Sequence, residues 1–141
     1  MKLWDVNIWV YAFRADSPLH DKAYALMRGS LDKREPFIFS PGIAASFLRL
    51  VTNPRIFKEP SPIGEAWLFV DTLESHPSAI KAEMDPMALG IFKHLSLVID
   101  AAGNAVPDAY LAALAIKHDA IFVTADKGFE AFQGLQMEIV A

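Results

Sequence analysis

The feature of this sequence that most constrains its fold is the alternation of short apolar segments with longer segments of helical periodicity. The runs KLW (2–4) and AIFVT (120–124) have the length and composition of buried strands. LQMEIV (135–140) predicts a last strand, and helical patterns fill most of the chain between them. This alternation predicts a single α/β domain over residues 1–141, a sandwich in which helices flank a central, mostly parallel sheet.

Six segments carry the helical pattern, and a further short strand is predicted at 79–84. The third helix has a favourable start, because Ser40 is a preferred N-cap residue and Pro41 suits the first turn. The predicted helices cover residues 7–13, 19–30, 42–51, 63–75, 86–102 and 106–118.

The composition excludes several classes of protein. The 141 residues include no cysteine, so disulfides and thiolate metal sites are excluded. A net charge of −4 argues against a protein that coats nucleic acid non-specifically, although a nuclease with local cationic groups stays possible. Asp5 interrupts the apolar N-terminus too early for a signal peptide, and no apolar run reaches the length of a membrane span. We therefore expect a cytoplasmic protein without a membrane segment.

Three aspartates stand where the predicted sheet would bring them together. Asp5 follows the first strand directly, Asp126 lies two residues beyond AIFVT, and Asp108 lies in the first turn of a helix. If both strands are central and parallel, their carboxyl ends meet at the edge where α/β proteins bind ligands. Clustered carboxylates without His or Cys suit a hard cation, Mg²⁺ or Mn²⁺.

Each aspartate also has a purely structural explanation. Asp5 would cap the helix that begins near Asn7, and Asp108 would interact favourably with a helix dipole. Asp126 lies in the sequence ADKG, which is typical of turns. Only the combination of the three positions favours a functional site.

Three sequence blocks resemble the PIN domain and, more narrowly, the VapC-type toxins of bacterial and archaeal toxin–antitoxin pairs. They are DVNIWVYAF (5–13), FLRLVTNPRIF (47–57) and GNAVPDAYLAALAIKHDAIFVTADKGF (103–129). The resemblance implies a PIN-like α/β/α sandwich and a metal-dependent endoribonuclease that hydrolyses RNA phosphodiester bonds with metal-activated water. It also implies a VapB-like antitoxin as partner and a homodimer.

The same resemblance assigns roles to individual residues. Asp5, Asp108 and Asp126 match three acids of the family, and we expect one metal ion held chiefly by the first two. Three polar residues match positions that support the site: Asn7, Asn104 and Thr124, the last with a hydroxyl placed to orient Asp126. Arg49 is the best candidate for contact with the RNA phosphates.

The sequence departs from the family pattern at one position. The family usually has a fourth acid, a Glu, which an alignment on the FLR block places at about Ala44. The alternative hypothesis is therefore a catalytically weakened PIN-fold module that docks an antitoxin or RNA without cleaving. A phosphohydrolase with a receiver-like or haloacid-like pocket is less well supported, because the chain lacks a DxDx[TV] motif near Asp5.

Overall fold

A computed structural model describes all 141 residues and contains one five-stranded sheet in the order β3-β2-β1-β4-β5. Every neighbouring pair of strands is parallel, so the sheet is fully parallel where the sequence predicted it to be mostly so. The strands are β1 (Lys2–Trp4), β2 (Phe37–Phe39), β3 (Ala79–Lys81), β4 (Ile121–Thr124) and β5 (Gln136–Ile139).

Six helices connect the strands, as the periodicity predicted, and a short 3₁₀ helix (Lys127–Ala131) follows β4. None of the helices is long and apolar enough to cross a membrane. The helices are α1 (Val6–Phe13), α2 (His20–Asp32), α3 (Pro41–Val51), α4 (Ile63–Glu74), α5 (Pro86–Val98) and α6 (Ala105–Lys117).

Two elements end three or four residues before their predicted limits, whereas the other ends differ by at most two residues. Helix α5 ends at Val98 rather than at residue 102, since Asp100 adopts a left-handed conformation with φ of 51° that a helix cannot continue through. Strand β3 stops at Lys81, which pairs with Phe39, the last residue of β2. Beyond Phe39 the chain turns into α3, so the partner strand ends there.

Aromatic side chains hold the helices on the sheet. Trp4 of β1 stacks on Phe37 of β2 with ring centroids 4.8 Å apart. The ring centroid of Trp9 in α1 lies 5.9 Å from that of Phe39 in β2 and 5.8 Å from that of Phe47 in α3. Trp4, Trp9 and Phe47 are fully buried, so burial of this cluster fixes the position of α1 relative to the sheet.

This packing places the carboxyl ends of two interior strands side by side. Strand β1 lies between β2 and β4, and its pairing with β4 runs from Lys2 and Ile121 to Trp4 and Val123. The Asp5 N–H continues the ladder by donating to the Val123 carbonyl at 2.8 Å. Residues that follow these two strands therefore share one edge of the sheet, as the sequence required for a common site.

Candidate active site

A cleft of about 470 Å³ opens at the carboxyl edge of the sheet, between α1, α3, α6 and the 3₁₀ helix. It is the largest cleft of the molecule and contains six of the residues that the sequence singled out. These six are Asp5, Asn7, Arg49, Asn104, Asp108 and Asp126.

Asp5 is the most buried charged residue of the cleft, with only 3% of its surface exposed. It occupies the N-cap position of α1, yet its side chain makes no capping hydrogen bond. Burial raises the pKa of the Asp5 carboxyl to about 6, and the charges of Asp108 and Asp126 act in the same direction. Helix capping therefore does not explain this aspartate.

Thr124 holds the Asp5 carboxylate in place. The Thr124 hydroxyl is fully buried and donates a hydrogen bond of 2.7 Å to Asp5 Oδ2, which opposes the rise in the Asp5 pKa. The same hydroxyl accepts the backbone N–H of Asp126 at 3.0 Å. The sequence predicted that the Thr124 hydroxyl orients Asp126. In the structure the hydroxyl binds the backbone N–H of Asp126, and the carboxylate that it holds is that of Asp5.

Asp108 and Asp126 reach the cleft from other elements. Each also has the local structural role that the sequence suggested for it. Asp108 lies in the first turn of α6, and partial burial together with the nearby Asp126 raises the pKa of its carboxyl. Asp126 precedes the 3₁₀ helix and accepts the Gly128 N–H at 2.8 Å. A role in local structure and a place in the cleft thus coincide at both positions.

The charges of the cleft are not balanced by the protein. None of the three aspartates forms a salt bridge, although six salt bridges occur elsewhere in the chain. Arg49 is the only cationic side chain that lines the cleft, and it makes neither an ion pair nor a hydrogen bond. Burial and neighbouring negative charge raise the pKa values of Asp5 and Asp108, and a cleft with this excess of negative charge favours a bound cation.

The donor set fits a hard divalent cation. The side-chain donors around the acids are carboxylate and amide oxygens, the ligands that Mg²⁺ and Mn²⁺ prefer. No three His, Asp or Glu side chains are gathered tightly enough to form a ready-made metal site anywhere in the chain. Cation binding at this cleft would therefore draw the carboxylates closer together or use bridging water.

Ala44, the residue at which the sequence placed the missing fourth acid, does not line the acidic cleft. Ala44 is buried on the side of α3 that faces α4, in a separate apolar groove that also contains Leu48 and Trp67. The helix face that lines the acidic cleft carries Gly42, Ile43, Ser46, Arg49 and Leu50. Ala44 lies five residues before Arg49, so the two side chains leave the helix in directions about 140° apart around its axis. Ser46 occupies the central position of α3 on the cleft side.

Most residues of the cleft wall were not predicted from the sequence. The 3.6-residue period would have grouped Ser46 with Arg49, because residues three apart share a helix face. Tyr110 carried no comparable signal, since its place depends on where the fold puts α6 relative to α3 across the cleft. The remaining lining residues are mainly apolar: Val6, Ile43, Leu50, Pro107, Leu111 and Phe129.

Comparison with known proteins agrees with this architecture. Residues 2–135 match the PIN domain family. The VapC ribonuclease Mb2897 of Mycobacterium bovis is 37% identical over 132 residues, which make up 94% of this chain and 90% of the relative. Ribonuclease VapC31 of Mycobacterium tuberculosis is 36% identical over 136 residues, or 96% of either chain. This protein also superposes on one chain of a solved structure, the crystal structure of VapBC2 from Rickettsia felis bound to a promoter DNA fragment. The TM-score is 0.74 and the sequence identity is 18%. That match covers 99% of this chain and 98% of the other.

The fold and the sequence matches together define the class of protein. The chain belongs to the PIN domain family, as its motifs predicted. Within that family, relatives that match it along most of its length are VapC ribonucleases.

Proposed function

We propose that this protein is an endoribonuclease of the VapC type that hydrolyses RNA phosphodiester bonds with the help of a divalent cation. The observation that carries the proposal is the convergence of Asp5, Asp108 and Asp126 on one cleft in which no basic residue neutralises them. Relatives at 36–37% identity named as ribonucleases support the same reaction. The divalent cation that we propose is Mg²⁺ or Mn²⁺.

Each acidic residue would have a distinct part in holding the cation. Asp5 and Asp108 are the most shielded from water and would be the principal ligands. Asp126 is exposed at the rim and would bind directly or through water. A bound Mg²⁺ or Mn²⁺ would polarise a phosphoryl oxygen and lower the pKa of a water molecule.

The remaining polar residues of the cleft would position the site and the substrate. Asn7 follows Asp5 by two residues, and Asn104 lies one turn before Asp108, so their amides flank the two principal acids. Arg49 has no partner in the protein and would contact an RNA phosphate, since a guanidinium suits phosphate oxygens. The alternative of a catalytically weakened binding module keeps its basis, since the cleft contains no fourth acid, but the α3 residue that faces the three aspartates is Ser46 rather than Ala44.

RNA cleavage by the purified protein tests this function. We expect structured RNA to be cut in the presence of Mn²⁺ or Mg²⁺ and to survive when EDTA is added. Asp126→Asn, prepared in parallel, controls for contaminating nucleases and should cut much more slowly. Cleavage that persists equally in EDTA and in the variant would contradict the assignment.

We further propose that the protein is the toxin of a toxin–antitoxin pair and binds a VapB-like antitoxin. Support comes from the fold, which it shares with the VapBC2 complex, and from its VapC relatives. Co-expression with the product of an adjacent small gene tests the pairing. The expected result is a stable complex in which RNA cleavage is suppressed. Light scattering on the protein alone would show whether it forms the expected homodimer.

A further inference from the structure

We propose that the N-terminus of α3 is a phosphate-binding subsite within the acidic cleft. It consists of the backbone N–H groups of Gly42 and Ile43 and the hydroxyls of Ser40 and Tyr110. The inference rests on the proposed function, because it places a backbone phosphate of the RNA strand next to the acids. The group recognised is a phosphodiester oxygen.

The backbone donors of this turn have no partner in the protein. Gly42 and Ile43 line the cleft, and neither N–H donates to another residue. The first N–H groups of any helix lack an intrahelical acceptor, and the helix dipole makes this end partly positive. Such an end favours an anion. Together with Arg49, this end of α3 opposes the negative charge of the three aspartates.

A second and independent observation comes from Ser40. Its hydroxyl is fully buried, caps no N–H of α3 and has no hydrogen-bond partner at all. A buried hydroxyl without a partner is unfavourable and rare in folded proteins. Ser40 Oγ lies 3.5 Å from the point where a Cβ on Gly42 would stand. The unused hydroxyl therefore borders the same turn of α3.

Tyr110 approaches this turn from α6. Its hydroxyl lies 3.6 Å from the same Cβ point on Gly42 and makes no hydrogen bond within the protein. Its ring packs at 90° against Phe92, with centroids 5.9 Å apart, so the hydroxyl is held by a fixed support. Two free hydroxyls thus flank a position that only glycine leaves open. A phosphate oxygen bound at this turn would accept from the Tyr110 hydroxyl and the backbone donors, and a small shift of the turn would bring the buried Ser40 hydroxyl within its reach.

Gly42→Ala is the most informative variant, because it separates folding from binding. The added methyl group would meet the two hydroxyls at ordinary contact distances, so the fold should be kept. Alanine also favours a helix more than glycine does. The methyl would nevertheless fill the subsite. Gly90→Ala is the matched control, because Gly90 is also helical and has open space at its Cβ position.

The direct test is titration of ¹⁵N-labelled, Mg²⁺-loaded protein with inorganic phosphate, followed through the amide resonances. We expect saturable shifts of the Gly42 and Ile43 resonances in the wild type and in Gly90→Ala. In Gly42→Ala the shift of Ile43 should be lost. Resonances that do not move in the wild type, or that move equally in Gly42→Ala, would overturn the subsite.

RNA cleavage distinguishes a substrate phosphate from free phosphate. Loss of one hydrogen bond to a charged group should raise KM about tenfold in Gly42→Ala and Ser40→Ala, with a smaller effect on kcat. An unchanged KM in both variants would contradict a role in RNA binding. If no variant and no wild-type sample cuts RNA, the proposed function fails, while the phosphate titration still decides whether the subsite exists.

Discussion

The Thr124 hydroxyl donates to the Asp5 carboxylate across 2.7 Å and joins the ends of two adjacent interior strands. Both groups are buried, and the same hydroxyl accepts the N–H of Asp126. One threonine therefore links the most buried acid of the cleft to the segment that carries the most exposed one. This link explains how carboxylates 121 residues apart in sequence are held in one cleft.

Thr124→Val tests the importance of this hydrogen bond, since valine has nearly the same shape without the hydroxyl. The bond favours the charged form of Asp5, so its loss should raise the pKa of that carboxyl above the present value of about 6. We expect RNA cleavage at neutral pH to fall about tenfold, the factor for one hydrogen bond to a charged group, and to recover partly at higher pH. The measurement is a pH profile of kcat/KM.

Thr124→Ser keeps the hydroxyl and serves as the control for that profile. It should retain most of the activity and the wild-type pH dependence. If Thr124→Val showed an unshifted profile, the hydrogen bond would be structural rather than a determinant of the ionisation of Asp5.

The contribution of Asp5 to the stability of the cation-free protein is less favourable at neutral pH than at low pH. The pKa of this carboxyl is about 6 in the folded protein, against 3.8 as its ordinary value. Between these values the folded chain keeps a proton that the unfolded chain releases, so the free energy of unfolding falls as the pH rises. The destabilisation is complete above about pH 6 and amounts to roughly 3 kcal/mol.

Asp5→Asn should therefore stabilise the protein at neutral pH in the presence of EDTA, because the amide oxygen still accepts from Thr124 and carries no charge. The expected gain is about 2–3 kcal/mol at neutral pH, and it should nearly vanish at pH 4. Urea unfolding at the two pH values measures it. An equal gain in stability at both pH values would show that the ionisation of Asp5 does not cause the gain.

Ser46 is the position from which a fourth carboxylate would reach the acidic cleft. Ser46→Glu adds an oxygen ligand to a face that already lines the site, and more ligand charge strengthens the binding of hard cations. We expect the dissociation constant for Mn²⁺, measured by calorimetry, to fall about tenfold. Thermal stabilisation by Mn²⁺ should increase in parallel.

Ala44→Glu is the contrasting variant. Ala44 is only 5% exposed and faces the apolar groove between α3 and α4, so a carboxylate there would be buried without a partner. The expected result is a loss of about 3 kcal/mol in stability with no gain in Mn²⁺ affinity. Tighter Mn²⁺ binding by Ala44→Glu than by Ser46→Glu would contradict the observed orientation of α3.

Most of the fold could be predicted from periodicity and strand composition alone. AIFVT and KLW form adjacent interior strands, and all six predicted helices are present. Helix ends were less predictable: the pattern that continued to residue 102 stops at Val98, because the turn at Asp100 depends on local backbone geometry. The position of each acid at a strand or helix end was sufficient to place it in the cleft.

The opposite wall of the cleft could not be predicted in the same way. Which face of α3 meets the acids depends on the packing of Phe47 and Trp9. The alignment by motif put the fourth acid at Ala44, which faces α4 instead of the cleft. Ser40 has the sequence of an N-cap but leaves its hydroxyl unused, which only coordinates can show. Local sequence patterns predict elements well, whereas side-chain partners across elements follow from tertiary packing.

The most direct test of the account is the rate of Mn²⁺-dependent RNA cleavage by Asp108→Asn, compared with the wild type and with Asp119→Asn. Asp119 is an exposed turn residue with φ of 51°, a conformation that asparagine tolerates, so its variant controls for the loss of one carboxylate elsewhere. We expect Asp108→Asn to keep its fold and lose cleavage, and Asp119→Asn to cleave like the wild type. Wild-type cleavage by a folded Asp108→Asn would contradict it.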